Sequence, residues 1–407
     1  MYSNIKKNLG SVIALILLFF MTSCSFKKKE PSFDVNKMID YCIGKTKLTM
    51  GSLSEVDSLP RNIYPNQTKW NKIGIHDWTS GFWPGVLWYA YEASEDNSIL
   101  EQAQKFTIPL KGILDVPVDN HDLGFMLYCS MGNGLKLTNN RNYKEYLLTA
   151  ADSLATLYNP KVKTILSWPG MNKKMNWAHN TIIDNMINLE LLFWASKNGG
   201  GRHLYDMAVN HAEVCMKTLV RPDYTTYHVA VFDTINGDFK KGVTHQGYAD
   251  NSQWARGQGW GIYGYTMVYR ETRDNKFLET AAKLTEKFID IMPEDKVPFW
   301  DFNDPSIPNA PRDASAAAVI ASGLIELSQY VENKKKEKFI DVAIDLLREL
   351  SSDRYLSKGQ NQSFLLHSTG HWPKKSEVDA SIIYADYYYL EALLRLKKLN
   401  TNGVIFN

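Results

Sequence analysis

The chain has little cysteine, four residues among 407. Cys42, Cys129 and Cys215 sit in apolar, helix-like surroundings, and no CxxC pair exists, so neither a disulfide framework nor a thiolate metal site is expected. Histidine is sparse as well, and no His/Asp cluster occurs at ligand spacing, so no metal is expected either. There is no phosphate loop, dinucleotide fingerprint or serine nucleophile elbow, which leaves no cofactor to expect. Charge of one sign is missing too: 46 Lys and Arg face 44 Asp and Glu, so nothing marks nucleic acid as a partner. No stretch rich in Pro, Gly or Ser divides the chain, and no fixed-period repeat implies an open solenoid.

Long apolar runs are absent with one exception. Lys6 and Lys7 precede "VIALILLFFM", which ends at "TSC" with Cys24. Residues 1–23 read as a signal peptide with a lipobox, in which Met21 is an imperfect member. An apolar run of about ten residues is well short of the ~20 that span a bilayer as a helix. Cleavage before Cys24 would leave a lipidated cysteine on a polar tether, 24–31. The expectation is a periplasmic or outer-membrane lipoprotein of a Gram-negative bacterium, touching the membrane only through its lipid. A plain secretory signal with a coincidental cysteine is the alternative. The leader takes away two lysines and no acid, so the remaining chain is balanced in charge. Residues 32–407, in a chain that is 44% hydrophobic, are ample for one large domain.

What is present is helix. A 3.6-residue apolar period marks twelve segments, roughly 32–48, 78–93, 96–107, 122–137, 142–158, 180–197, 203–219, 253–271, 275–291, 313–331, 336–350 and 380–397. Odd members such as "NKFLETAAKLTEKFIDI" carry one apolar stripe and a charged face. Even members such as "DASIIYADYYYLEALL" are apolar nearly all round and belong inside. Alternate burial of this kind predicts an all-α (α/α)6 barrel, six inner helices wrapped by six outer ones. All eleven tryptophans fall in the even segments or in the loops entering them, which places aromatic platforms for sugar rings at one end of the inner ring. The loop 220–252, with "TTYHVAVFD" and "THQGYADNSQ", predicts a short β-hairpin near that mouth.

Each inner segment opens with polar residues. Asp77, Asn120, Asn180, Asp250 and Asp379 are capping types, and six positive helix ends around one mouth would favour an anion. Asp184 stands apart, a turn inside its segment among Ile182, Ile183, Met186, Ile187 and Leu189, with Asn180 and Asn188 four residues to either side. It is either a buried acid satisfied by those amides or a general acid whose proton the apolar setting retains. Asp122, after His121, is either a cap-region acid or a second carboxylate in the same cavity. Arg256 shares a helix face with Trp260 and needs an anionic partner, either Asp250 or a ligand carboxylate.

The motifs "DWTSGFWPGVLW", "HDLGFM", "IIDNMINLELLFWA", "THQGYADNSQWARGQGWGIYGY", "VPFWDFNDPSIPNAPRDASAAAVIASGL" and "SEVDASIIYADYYYLEAL", in this order from Trp78 to Leu394, resemble the unsaturated glucuronyl hydrolases of glycoside hydrolase family 88. The resemblance implies an (α/α)6 barrel and action on oligosaccharides left by an upstream polysaccharide lyase, whose non-reducing end is a 4,5-unsaturated uronic acid. It implies protonation of the vinyl ether at C4, addition of water at C5, and collapse of the hemiketal with release of the neighbouring sugar. By the same resemblance Asp184 is the general acid and base and Asp122 the second carboxylate. His228, Gln246, Arg256 and Trp260 line the sugar subsite, with His121, Trp78 and Trp168 as wall members. The segment "HSTGHWPKKSE" departs from the Ser and Lys motif by which some relatives receive a sulfate, leaving Ser368, His371 and Lys374 as other contacts. Two other readings compete: a family 105 type unsaturated rhamnogalacturonyl hydrolase, and a glycan-binding lipoprotein without catalysis.

Overall fold

Twelve helices alternate between the inside and the outside of a closed ring in a computed structural model that describes residues 33–56 and 58–406. The outer helices are α1 (Val35–Met50), α3 (Asn97–Thr107), α5 (Arg141–Ala155), α7 (Arg202–Thr218), α9 (Asn275–Ile291) and α11 (Asn333–Leu350). The inner ones are α2 (Phe82–Ser94), α4 (Gly124–Gly132 continued by Asn133–Thr138), α6 (Asn185–Lys197), α8 (Ala255–Thr272), α10 (Ala314–Leu327) and α12 (Ile383–Asn402). Each inner helix packs on the next, and α12 closes on α2, while every outer helix lies against two inner neighbours. This is the expected (α/α)6 barrel, and from Val35 on the chain is one unit.

Two helices show why the kinds separate. In α9, Phe277, Ala281, Leu284 and Phe288 fall on one buried face, and Asp274 caps the helix by accepting the backbone N–H of Lys276 at 3.1 Å. Burying each of the large side chains contributes about 1.5–3 kcal/mol. In α10, by contrast, every residue from Ala314 to Leu327 is buried, and its alanines let α8 and α12 approach.

Links from an inner to the next outer helix are short. Glu95–Asp96, Asn139–Asn140 and Arg273–Asp274 each turn the chain with a left-handed residue followed by the cap of the next helix. Links from outer to inner helices are long, and all the strands lie in or at the end of them. β1 (Leu59–Ile63) pairs with β2 (Asn71–Ile73) and with β8 (Ser381–Ile382). β3 (Tyr158–Asn159) pairs with β4 (Thr164–Ile165). β5 (His179–Ile182), β6 (Val229–Phe232) and β7 (Phe239–Val243) form an antiparallel sheet in that order. The mouth therefore carries the irregular structure and the other end is closed by tight turns.

Several boundaries differ from expectation. The hairpin β6–β7 has a third strand, because residues 179–182 pair with β6 instead of opening a helix. His179 and Thr181 project to one side and bond Thr164 there, so a two-residue alternation wins over the helical period. The segment expected at 122–137 winds as a π-helix over Gly124–Gly132. The polar residues expected to cap inner helices mostly fasten turns: Asp77 accepts from Thr79, Asn120 from Asp122, and Asp250 from Thr244. The expected signal peptide, Cys24 and tether lie outside the described residues. Among the described residues no helix is long and apolar enough to cross a membrane.

Candidate active site

The two acids sit where inner helices begin. Asp184 is the residue before α6, reached from β5 through Ile183, so it stands at the helix start and not a turn inside it. Asp122 lies two residues before α4, its N–H donated to Asn120 Oδ1 and its carbonyl accepting from Met126. Each is only 8% exposed. Burial pushes Asp184 up to about 7; His121 and Arg256 oppose this and Asp122 reinforces it. Burial likewise pushes Asp122 up to about 7, opposed by a hydrogen bond from Asn188 and reinforced by Asp77. Asp184 Oδ2 is buried with no hydrogen-bond partner.

The expected stripe of Asn180, Asp184 and Asn188 does not form, because Asn180 is on a strand. Asn180 instead brackets the backbone of Trp168, accepting from its N–H at 3.1 Å and donating to its carbonyl at 3.0 Å. That fixes a half-buried indole whose ring meets His121, His228 and His245 at centroid distances of 6.5, 5.7 and 5.3 Å. Asn188 stays with the acids: its Oδ1 accepts from Phe125 N–H at 2.9 Å and its Nδ2 lies 3.4 Å from His121 Nδ1.

His228 precedes β6, and His245 and Gln246 follow β7, so the sheet brings them together. The backbone N–H groups of His245 and Gln246 both donate to His228 Nδ1 at 3.1 Å. That nitrogen is an acceptor, so the proton of the neutral ring is on Nε2, which faces Asp184 Oδ2 at 3.8 Å. Burial, with His245 and Arg256 nearby, holds the imidazole well below its ordinary value.

Arg256 is buried and its carboxylate partner within the chain is Asp313, not Asp250. Nη1 donates to Asp313 Oδ2 at 2.6 Å and to the Thr369 carbonyl, and Nη2 to the Gly370 carbonyl and to Gln246 Oε1 at 3.2 Å. The guanidinium also lies over Trp254 and Tyr384, at 4.6 and 5.3 Å from the ring centroids. With its oxygen used by Arg256, the Gln246 amide has only its N–H groups left to offer. Asp313 caps α10 through Ser315 and Ala316 N–H, and sequence reasoning missed it as the arginine's counter-ion.

Trp78 stacks at a tilt against Tyr384, 5.2 Å between centroids, with Arg61 over its face at 5.3 Å. Sequence reasoning missed Arg61, which lies on β1 and bonds both Asp77 and Glu377; nothing in its spacing marks it. Trp260 is fully buried between Phe125 and Tyr388, so it backs the wall. Ser368 is fully buried in a backbone bridge with Ala380 and presents no surface for a sulfate. His371 does face the mouth region, its ring 4.9 Å from that of His245. Among the described residues no group of His, Cys, Asp and Glu has the spacing to hold a metal ion.

A separate cavity of about 690 Å³ opens at the far ends of the inner helices, lined by Tyr128, Glu190, Tyr263, Arg270, Glu391 and Arg395 among others. Its charges satisfy one another: Arg270 bonds Glu190, Glu271 and Glu326, and Glu391 accepts from Tyr89, Tyr263, Arg395 and Ser322. It is a structural network, whereas the mouth holds two raised acids and an unpartnered carboxylate oxygen.

No family model matches the chain. It is 42% identical to the unsaturated glucuronyl hydrolase of Formosa agariphila over 97% of this chain and 99% of that one. It is 36% identical to the unsaturated chondroitin disaccharide hydrolase of Streptococcus pyogenes over 90% of this chain and 92% of that one. Among solved structures, an unsaturated glucuronyl hydrolase specific for heparin superposes with a TM-score of 0.86 at 41% identity, over 90% of this chain and 97% of that one. With this identity along nearly its whole length, and with the acid pair at the mouth of an (α/α)6 barrel, the chain belongs to the unsaturated glucuronyl hydrolases, a family of glycosidases.

Proposed function

We propose that this protein removes the 4,5-unsaturated uronic acid from the non-reducing end of lyase-generated oligosaccharides, glycosaminoglycan-type disaccharides foremost. The observation that carries the reading is Asp184 Oδ2, buried, unpartnered and raised to about 7, beside a neutral His228. A carboxyl in that state holds a proton near neutrality and can deliver it to carbon. Protonation of C4 by Asp184 moves the double-bond electrons into the new C–H bond and leaves an oxocarbenium at C5. Water adds at C5 and its proton returns to the Asp184 carboxylate. The hemiketal then opens and the neighbouring sugar leaves. Asp122, as an anion, stabilises the cationic stage. Trp168 and Trp78 offer flat faces for the planar ring, and the Gln246 N–H groups and the Arg256 charge favour the uronate carboxylate.

The leader and Cys24 support a lipid-anchored enzyme of the periplasm or outer membrane, downstream of a polysaccharide lyase. The test is loss of the ultraviolet absorbance of the conjugated uronate, on a panel of unsaturated chondroitin, hyaluronan, heparin and pectin disaccharides. Wild type should consume at least one glycosaminoglycan member, and Asp184→Asn none. Persistence of the signal with every uronate overturns the reading.

A further inference from the structure

Asn188 is fully buried on α6, one turn after Asp184. Because Phe125 N–H donates to its Oδ1, the amide cannot flip, and its NH2 is directed away from α4's backbone. An NH2 only donates, so His121 Nδ1, 3.4 Å from it, must accept. Burial holds His121 neutral, with its pKa down to about 4. The ring's one proton is therefore on Nε2. That nitrogen makes no hydrogen bond, but Asp122 Oδ1 lies 3.5 Å from it and the Asn185 side chain is its other neighbour. Asn188 thus links the Phe125 backbone to His121, whose remaining N–H lies beside Asp122.

We propose that Asn188 is a positioning residue of the acid pair: by locking the His121 tautomer and donating to Asp122, it makes Asp122 the carboxylate and leaves the transferable proton on Asp184. This rests on the proposed reaction. Two carboxyls raised to about 7 share roughly one proton near neutral pH, and something must decide which one carries it. Around Asp122 stand His121, Asn188, Asp77, Arg61 and Asp119; around Asp184 stand His121, His228 and Arg256. The Asn188 amide donates on the Asp122 side, while Asp184 Oδ2 has no hydrogen-bond partner. Gly124 makes room for the device: a Cβ there would lie 2.6 Å from Asn188 Oδ1 and 2.7 Å from its Cα.

The experiment compares wild type, Asn188→Leu and Asn188→Asp by the pH dependence of kcat and kcat/KM on an accepted unsaturated disaccharide, and by the side-chain ¹⁵N spectrum of His121. Wild-type His121 should be neutral with its proton on Nε2. In both variants the acid limb of the profile should move up by about one pH unit, since Asp122 loses its donor and, in Asn188→Asp, gains a like charge. Peak kcat should fall about 10–100-fold with KM within about threefold. Asn188→Asp keeps the acceptor for Phe125 N–H and decides the matter if Asn188→Leu does not fold. An unmoved acid limb in a folded variant, or a wild-type proton on Nδ1, overturns the proposal. If wild type consumes no unsaturated uronate, the functional reading fails, and the His121 spectrum still decides the tautomer lock.

Discussion

Arg256 and Asp313 form a buried ion pair, 2.6 Å from Nη1 to Oδ2, that ties the first turn of α8 to the cap of α10. Asp313 also receives Ser315 and Ala316 N–H, so one carboxylate serves a helix end and the site's main cation at once. Asp313→Ala leaves the guanidinium uncompensated and should cost about 3–5 kcal/mol in urea unfolding. Arg256→Lys loses the forked geometry and should raise KM far more than it lowers stability. Equal stability of Asp313→Ala and wild type would contradict this account.

Stability should fall as pH rises through the window set by the acid pair. Asp184 is raised from 3.8 to about 7, so the folded chain keeps a proton that the unfolded chain has lost from about pH 4 upward. The penalty grows between about pH 4 and 7 and is constant above. Asp184→Asn removes it, and should be more stable than wild type by on the order of 1–4 kcal/mol at pH 8, with the gap closing near pH 4. Denaturant melts of the two proteins across pH check the sign.

Trp168 is held by its backbone rather than by its ring. Asn180→Ala removes both hydrogen bonds, leaves the Trp168 N–H without a partner and its carbonyl with only the Met171 N–H, and should cost about 1–3 kcal/mol. Since the indole is expected to stack on the sugar, KM should rise several-fold while the pH profile keeps its shape. A moved profile with unchanged KM would place Trp168 elsewhere in the reaction.

Gly124→Ala pushes a methyl into Asn188, backbone as well as side chain, and α4 and α6 must part. Overpacking of this kind costs about 1–3 kcal/mol. Activity should fall by more than the loss of stability accounts for, because Asp122 and Asp184 ride on the two helices that move. Thermal melts read beside kcat separate the two effects.

The barrel was legible because alternate burial of whole helices leaves a pattern in composition: α9 and α10 differ in every turn. The acids and the aromatic mouth were legible for the same reason, since an Asp inside "TIIDNMINLELL" contradicts its surroundings. The strand β5 was not, because Ile182 and Ile183 fit a helix as well as a strand, and only the partner β6, some fifty residues on, settles it. Arg61 and the Asp313 counter-ion were hidden in the same way. Their roles come from contacts between distant links, and local spacing carries no trace of them.

Pairing of β1 with β8, and of Arg61 with Glu377 across 316 residues, joins the first long link to the last. Arg256 depends in the same way on Thr369 and Gly370. On a ribosome, Asp122, Asp184, Trp78 and Trp168 would emerge long before the loop that holds the arginine in place. The site cannot be complete on a growing chain, so activity should appear in one step, only after the final helix has been released and has docked.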